Sequence, residues 1–356
     1  TKEEDTILEK QVNERKYNYI KQTLLEYFKI NGTARNDKEI NEYRKITNSD
    51  LCSGEDRALS YNAKHDFYYI NSLYYFAIGD LMNYYSHQKK LVVLFETHPE
   101  RLQEEAKNYL AALGNYYNIC LSFKKYEECL GIIKKIRAVP AKSIRTQILI
   151  FSYSYERELG LYLATNEYNK GISLVEDIEK GIRLYKGKIQ NVSIISFCFH
   201  LAKLYFVTKE YSKSLRWLNK ILNDQTLKDS GPEHHCFSRI MNLIVHFELG
   251  NYDLLAYIVK STYRFLHKRN RLYKFETSIL NFIRKKLPKG TSQKVLIEIF
   301  KELKTELEEI TRDPFEKTVL EYFDFISWAE SKIENRPFAE IVREKATSTK
   351  NESGRQ

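Results

Sequence analysis

Proline and glycine are scarce in this chain, at six and thirteen of 356 residues. That leaves little material for the many tight hairpins of a β-sandwich or barrel, and no β-branched run alternates with period two, so no sheet is expected. No apolar run is long enough to span a bilayer, and the first residues show no signal-peptide pattern. The chain opens on Thr1 and not Met, which leaves room for an upstream segment. Cys52, Cys120, Cys129, Cys198 and Cys236 include no CxxC pair; they read as small buried residues of a reducing compartment, and a cytoplasmic location is expected. A Gly-rich phosphate loop, GxSxG and HExxH are all missing. Glu233-His234-His235-Cys236 places four potential ligands in a row, but adjacent residues at a helix start point in different directions and cannot close on one ion. The other histidines are scattered singly. No catalytic residue, metal or cofactor is expected, and an enzyme ranks third among the readings, to be recognised by a deep pocket with convergent polar groups.

What is present is helical periodicity. In Leu201 to Leu222, LAKLYFVTKEYSKSLRWLNKIL, the residues Leu201, Ala202 and Tyr205 sit at i, i+1 and i+4. Tyr211, Ser214 and Leu215 repeat that pattern after a turn at Thr208-Lys209-Glu210. Each half presents one face to the other, small residues allowing approach and large ones filling the gap. Taking Tyr211 as a marker, matching positions are Leu81, Tyr126, Tyr168 and Tyr252, spaced 45, 42, 43 and 41 residues apart. Gly79 and Gly250 stand at the turn before their markers, where positive φ suits a helix-to-helix corner.

This pattern resembles the tetratricopeptide repeat (TPR), whose L-G/A-x-x-Y and G-x-Y-x-x-A halves match Leu201-Ala202-x-x-Tyr205 and Glu210-Tyr211-x-x-Ser214. The period exceeds the roughly 34 residues of the standard repeat, so longer helices or linkers must absorb the difference. The Lys, Asn, Ile and Tyr bias and the EYFDFISWAESKI ending also resemble large bacterial helical-repeat proteins of uncharacterised function. The resemblance implies an all-α, right-handed α-solenoid of about five helix pairs with a C-terminal helical cap. Its inner face, lined by the first helix of each pair, would bind a peptide or partner helix. Carried over by register, the groove positions are Asp66, Tyr69, Asn118, Tyr153, Glu156, Ser196 and Lys203. They include no basic cluster, so a C-terminal carboxylate is not the obvious ligand.

In chain order, residues 1–50 read as a long helix, Glu3 to Ile30, and a linker. Ile7, Val12, Tyr17, Ile20, Leu24, Tyr27 and Phe28 form the helix's apolar stripe, which is expected to dock on the first repeat. Residues 51–275 read as the array, with pairs near 56–97, 100–139, 142–184, 190–223 and 234–269, the last two separated by the loop-like NDQTLKDSGP. Residues 276–345 read as a capping region in which Phe315, Val319, Phe323, Ile326, Trp328 and Ile333 share a face, and 346–356 as a disordered tail. The 27 tyrosines and 19 phenylalanines are expected mainly to fill space between helices.

Charge is unevenly placed. The net charge is +10, yet Lys260 to Lys289 alone holds ten basic residues against Glu276, including Arg264, Lys268, Arg269, Arg271, Lys274, Arg284, Lys285 and Lys286. Tyr263, Phe265, Tyr273 and Phe275 are interleaved, so a nucleic-acid surface is the second reading. Two structural readings compete. Cations at a helix end complement its dipole, and the acidic stretch from Glu298 to Glu340 could fold against this segment and cancel its field.

Overall fold

The computed structural model describes residues 2–34, 36–102, 104–227, 232–269, 271–286 and 292–353, and among these every regular element is helical. The chain divides into two compact units, Thr1–Arg157 and Glu158–Gln356. The first contains α1 (Lys2–Asn31), α2 (Asp37–Thr47), α3 (Tyr61–Ala77), α4 (Leu81–Glu96), α5 (Ala106–Ser122), α6 (Tyr126–Ala138) and most of α7 (Ile144–Ala164). The second continues with α8 (Tyr168–Ser173), α9 (Val175–Leu184), α10 (Asn191–Val207), α11 (Tyr211–Asn223), α12 (Pro232–Glu248), α13 (Tyr252–Lys268), α14 (Lys274–Lys286), α15 (Gln293–Ile310), α16 (Pro314–Lys317), α17 (Phe325–Ile333) and α18 (Phe338–Ser353). The division falls inside the stretch read as one continuous array.

The same corner is built at all five marker positions. Gly79, Lys124, Asn166, Lys209 and Gly250 have φ of 78°, 56°, 61°, 62° and 72°, each two residues before its marker. The residue after each donates its N–H to a carbonyl five residues back, as in Lys125 to Cys120 and Glu210 to Tyr205, both 2.8 Å. This is the left-handed helix ending that recovers otherwise orphaned carbonyls, and three of the five corners make it without glycine.

Beyond three of the corners, at Cys129, Gly171 and Ser214, a small residue lets the paired helices approach, whereas Tyr84 and Leu255 stand at the same place in the other two. Ser214 Oγ donates to the Ala202 carbonyl at 2.8 Å, and Cys129 Sγ stands 3.9 Å from the Tyr117 carbonyl twelve residues back, as Ser214 does from Ala202. At the corresponding Gly171 an added Cβ would meet Leu204 at 3.0 Å and Leu159 at 3.6 Å. The expected second helix of the 142–184 pair is divided into α8 and α9, with a tighter Leu174 N–H to Gly171 carbonyl bond at 3.2 Å between them.

In the first unit α1 lies along α3, burying Tyr17, Ile20 and Leu24. The other end of its expected stripe is open: Ile7 and Val12 are exposed, as is Leu8 beside them, because α3 begins only at Tyr61 and α1 extends past it. Asn36, Ser60 and Asp80 accept N–H bonds from the first turns of α2, α3 and α4, which fixes where those helices start.

In the second unit the C-terminal helices form a real core. Trp328 is fully buried, its ring edge-on to Phe300 at 5.2 Å and to Phe247 at 5.8 Å, and its Nε1 donates to Glu248 at 2.7 Å. Val319 and Phe323 are buried and Ile326 and Ile333 half-buried, while the Phe315 side chain lies outside the described residues. The tail is the clearest difference from expectation. The helix α18 runs on through Ala346 to Ser353, Thr347 and Ser348 turning their hydroxyls back onto the Arg343 and Glu344 carbonyls. Composition alone read this polar stretch as unstructured, but a helix already packed at Ile341 can propagate at little cost.

Candidate functional site

The seven groove positions do not meet in one place. In the first unit, Asp66 is buried and already neutralised: its carboxylate accepts from Lys21 of α1 at 2.7 and 2.8 Å and contacts His65 Nδ1 at 2.9 Å. It holds α1 on α3 and is not presented to a ligand.

Tyr69 and Asn118 are brought together. They line one cavity of ≈ 320 Å³ between the end of α1 and helices α3, α4 and α5. Phe28, Phe76, Leu81 and Tyr84 supply its apolar wall, with Phe28 and Phe76 6.0 Å apart and Phe76 and Tyr84 5.2 Å apart. Asn115 and Asn118, one turn apart on α5, are exposed at its rim. Their side-chain amides make no hydrogen bond to described residues, whereas Gln88 at the floor is spent on the Ala112 carbonyl and Ser72. Burial pushes the Tyr84 hydroxyl up to about 12, so it stays a neutral donor. The sequence register found two of these residues; Asn115, Phe76 and Tyr84 were missed because they lie on the flanks of the repeat pattern.

A larger cavity of ≈ 770 Å³, lined by Tyr61, Lys64, Tyr68, Tyr85, Lys89 and Lys90 among others, was not foreseen. Its charge is partly answered from outside, since Glu55 accepts from Tyr68 at 2.7 Å and Lys90 at 3.0 Å.

Tyr153 of α7 is half-buried beneath the Arg157 guanidinium, 4.5 Å from its ring, in an arrangement that leaves no room for a Cβ on Gly114. Glu156 is half-buried on the next turn.

In the second unit, Ser196 is buried and Lys203 half-buried on the face of α10 that the register reads as inner. That face is covered by the chain itself. Tyr322 stacks on Phe237 of α12 at 3.8 Å and meets Phe199 of α10 edge-on at 6.2 Å, while Phe323 meets Phe206 at 5.1 Å and stacks on Phe338 at 5.2 Å. The stretch expected to cap the end of an array instead lies along α10 and α12. Beneath it, burial pushes the Lys203 amine down to about 8 and the His200 imidazole down to about 3.

The basic positions also separate. Arg264, Lys268 and Lys274 are exposed, and Lys260 and Arg264 and Lys268 make no ion pair with a described residue. Arg269 lies over the Phe265 ring at 3.8 Å beside Arg239 at 4.0 Å, and Arg271 is half-buried near Glu276. Arg284 donates to Asn281 at 3.3 Å. The side chains of Lys285 and Lys286 lie outside the described residues. The acidic stretch does reach the basic one, but through backbone: Glu316 accepts the Lys274 and Phe275 N–H groups at 3.1 and 3.2 Å, serving the start of α14.

His234 and His235 point apart, His235 to the Leu227 carbonyl at 2.9 Å and His234 to the Phe199 and Tyr322 rings. Among the described residues no helix is long and apolar enough to cross a membrane, and no His, Cys, Asp and Glu group is placed to hold a metal. No protein-family description matches the chain, and no curated protein or solved structure matches it significantly, so its reading rests on these residues and their geometry.

Proposed function

We propose that the chain is a non-enzymatic interaction module of TPR type that holds a peptide segment in the α3–α4–α5 cavity of its first unit. The observation that carries this reading is the convergence of Tyr69 and Asn118, chosen from repeat register alone, on one aromatic-walled cavity with Asn115 beside them. A carboxamide offers a donor and an acceptor in one plane, as a peptide unit does. Two of them one helical turn apart are separated by about 5–6 Å, close to the repeat of same-side groups along an extended chain. The Phe28, Phe76 and Tyr84 wall would take an apolar side chain.

The test is selection of a random linear-peptide library on the wild-type chain and on Asn115→Ala/Asn118→Ala. Peptides enriched by the wild type and lost on the double variant support the reading. Equal enrichment on both, or none on either, would overturn it.

The second reading is nucleic-acid binding along α13, favoured by Lys260, Arg264 and Lys268 lying exposed and unpaired on a helix that also exposes Tyr257 and Tyr263. Basic residues at this spacing can follow phosphates while the rings stack on bases. Fluorescence anisotropy with labelled duplex DNA and single-stranded RNA at two salt concentrations tests it. Binding must survive near-physiological salt and disappear in Lys260→Glu/Arg264→Glu/Lys268→Glu.

A further inference from the structure

We infer that the groove of ≈ 770 Å³ between α3 and α4 is a second docking site, one that takes an acidic segment of a partner protein carrying apolar side chains. This goes beyond the peptide cavity proposed above and does not depend on it. The two sites use different faces of α4. Tyr84 and Gln88 line the peptide cavity, whereas Tyr85, Lys89 and Val93 line the groove, with Lys64 and Tyr68 of α3 facing them. At about 3.6 residues per turn these two sets of α4 positions fall on roughly opposite sides of the helix. From Tyr85 to Thr97 the groove follows α4 for about 18 Å, the reach of roughly five residues of extended chain.

The polar groups of the groove divide into committed and uncommitted ones. Tyr61, Tyr68 and Tyr85 donate their hydroxyls to Glu105 at 3.4 Å, Glu55 at 2.7 Å and Glu128 at 2.9 Å, none of which lines the groove. Each of those carboxylates already has a cation: Arg101 at 3.5 Å, Lys90 at 3.0 Å and Lys125 at 3.2 Å. The three rings therefore give the groove apolar surface, and no Asp or Glu is among its lining residues. Lys64 and Lys89 remain. Both are exposed, and neither makes an ion pair or hydrogen bond with a described residue.

Apolar side chains lie open beside these charges. Val93 is 47 % exposed and Leu59 40 %, above a floor closed by buried Ala58 and Leu94. Leu59 also closes a depression of ≈ 380 Å³ against the exposed Leu8 and Val12 of α1, so the apolar strip continues out of the groove along the open end of that helix. Asp5 and Glu9 flank this depression, which confines the positive charge to the groove. Continuous exposed apolar surface edged by unanswered charge marks an interaction site. An acidic segment matches both features, its carboxylates meeting Lys64 and Lys89 and its apolar side chains lying on Val93 and Leu59. Nucleic acid matches only the charge. Arg101 covers one face of Tyr61 at 4.2 Å, Tyr68 is buried, and aliphatic Val93 and Leu59 offer bases nothing to stack on.

The experiment runs the random-peptide selection on the full chain and on Lys64→Glu/Lys89→Glu and Leu59→Ser/Val93→Ser, exposed positions whose substitution should leave the circular dichroism unchanged. A family of peptides with acids flanking an apolar residue is expected on the wild type and on Asn115→Ala/Asn118→Ala, and should be lost on both groove variants. For a fluorescein-labelled member of that family, anisotropy should show about tenfold weaker binding to Lys64→Glu/Lys89→Glu and a smaller loss for Leu59→Ser/Val93→Ser. Lys260→Glu/Arg264→Glu/Lys268→Glu should bind it as the wild type does. The site is overturned if no acidic family is enriched, if the charge-reversed groove keeps it, or if the α13 variant loses it equally, which would mean general attraction to a basic chain. Direct binding of single-stranded RNA that survives near-physiological salt and needs Lys64 and Lys89 would also overturn it, giving the groove to nucleic acid. Peptides lost only on Asn115→Ala/Asn118→Ala uphold the first cavity and overturn this site; peptides lost only on the groove variants do the reverse.

Discussion

The helices α3, α5, α10 and α12 each run into the same left-handed corner, yet the surfaces of α3 with α5 and of α10 with α12 end differently. On the first, Tyr69 and Asn118 open onto a cavity whose rim amides are unengaged. On the second, Tyr322, Phe323 and Phe338 lie over Phe199, Phe206 and Phe237. Helical spacing tells which face of a helix is apolar. What occupies that face is settled by residues more than a hundred positions away.

The largest expected effect breaks the cover on the second unit. Trp328→Ala removes a fully buried ring and leaves Glu248 to Lys332 and the Tyr211 hydroxyl; it should destabilise this unit by roughly 3–5 kcal/mol in urea unfolding, and increase binding of a hydrophobic dye to the folded form. If unfolding is unchanged, the C-terminal helices are not part of this unit's core. Phe323→Ala, next in size at about 2–4 kcal/mol, should act on the same unfolding transition and leave the first unit's cavity residues unperturbed in their chemical shifts.

Lys203→Met sharpens the comparison by removing a lysine that burial makes less basic. The variant should gain about 1 kcal/mol below pH 8 on losing a partly desolvated charge. The pH dependence follows. Lys203 in the folded chain releases its proton near pH 8, whereas in the unfolded chain it holds it to about its ordinary 10.5. Between those values the unfolded state binds more protons, so stability rises with pH there; below pH 8 both states are protonated and the destabilisation is constant. Unfolding midpoints across pH 7 to 10.5 should show this rise in the wild type and lose it in Lys203→Met.

The smallest effects concern the corners shared by both units. Lys124→Gly in the first and Lys209→Gly in the second should each stabilise by about 0.5–1 kcal/mol, since both residues sit at positive φ. Gly79→Ala and Gly250→Ala should cost about 1 kcal/mol for the same reason. Equal shifts in the two units would show that the corners are energetically equivalent, even though the faces they position are not. A destabilising Lys209→Gly would mean that its side chain contributes more than its backbone strain removes.

Much of the helical framework was legible because it depends on neighbours in sequence. The markers Tyr126, Tyr168, Tyr211 and Tyr252 located helix starts that the structure places at those same residues. The candidate site was legible in part. Tyr69 and Asn118 could be found from register, but Asp66 at the same register is consumed by Lys21, 45 residues away, and no local pattern encodes that pairing. The basic segment shows the same limit: among its described side chains Lys260, Arg264 and Lys268 are exposed on α13, while Arg269 lies over Phe265 beside Arg239 of α12.

By itself the sequence determined that the described chain is helical, where its five corners turn, and which faces are apolar, because spacing along a helix and the φ preferences of turn residues act over a handful of positions. Only the tertiary structure decided that Trp328 enters a core with Phe247 and Phe300, that Tyr322 and Phe323 cover α10 and α12, and that Lys203 lies half-buried beside Phe199. Burial and charge pairing depend on which distant surfaces meet, and periodicity specifies that a face must be covered without specifying by what.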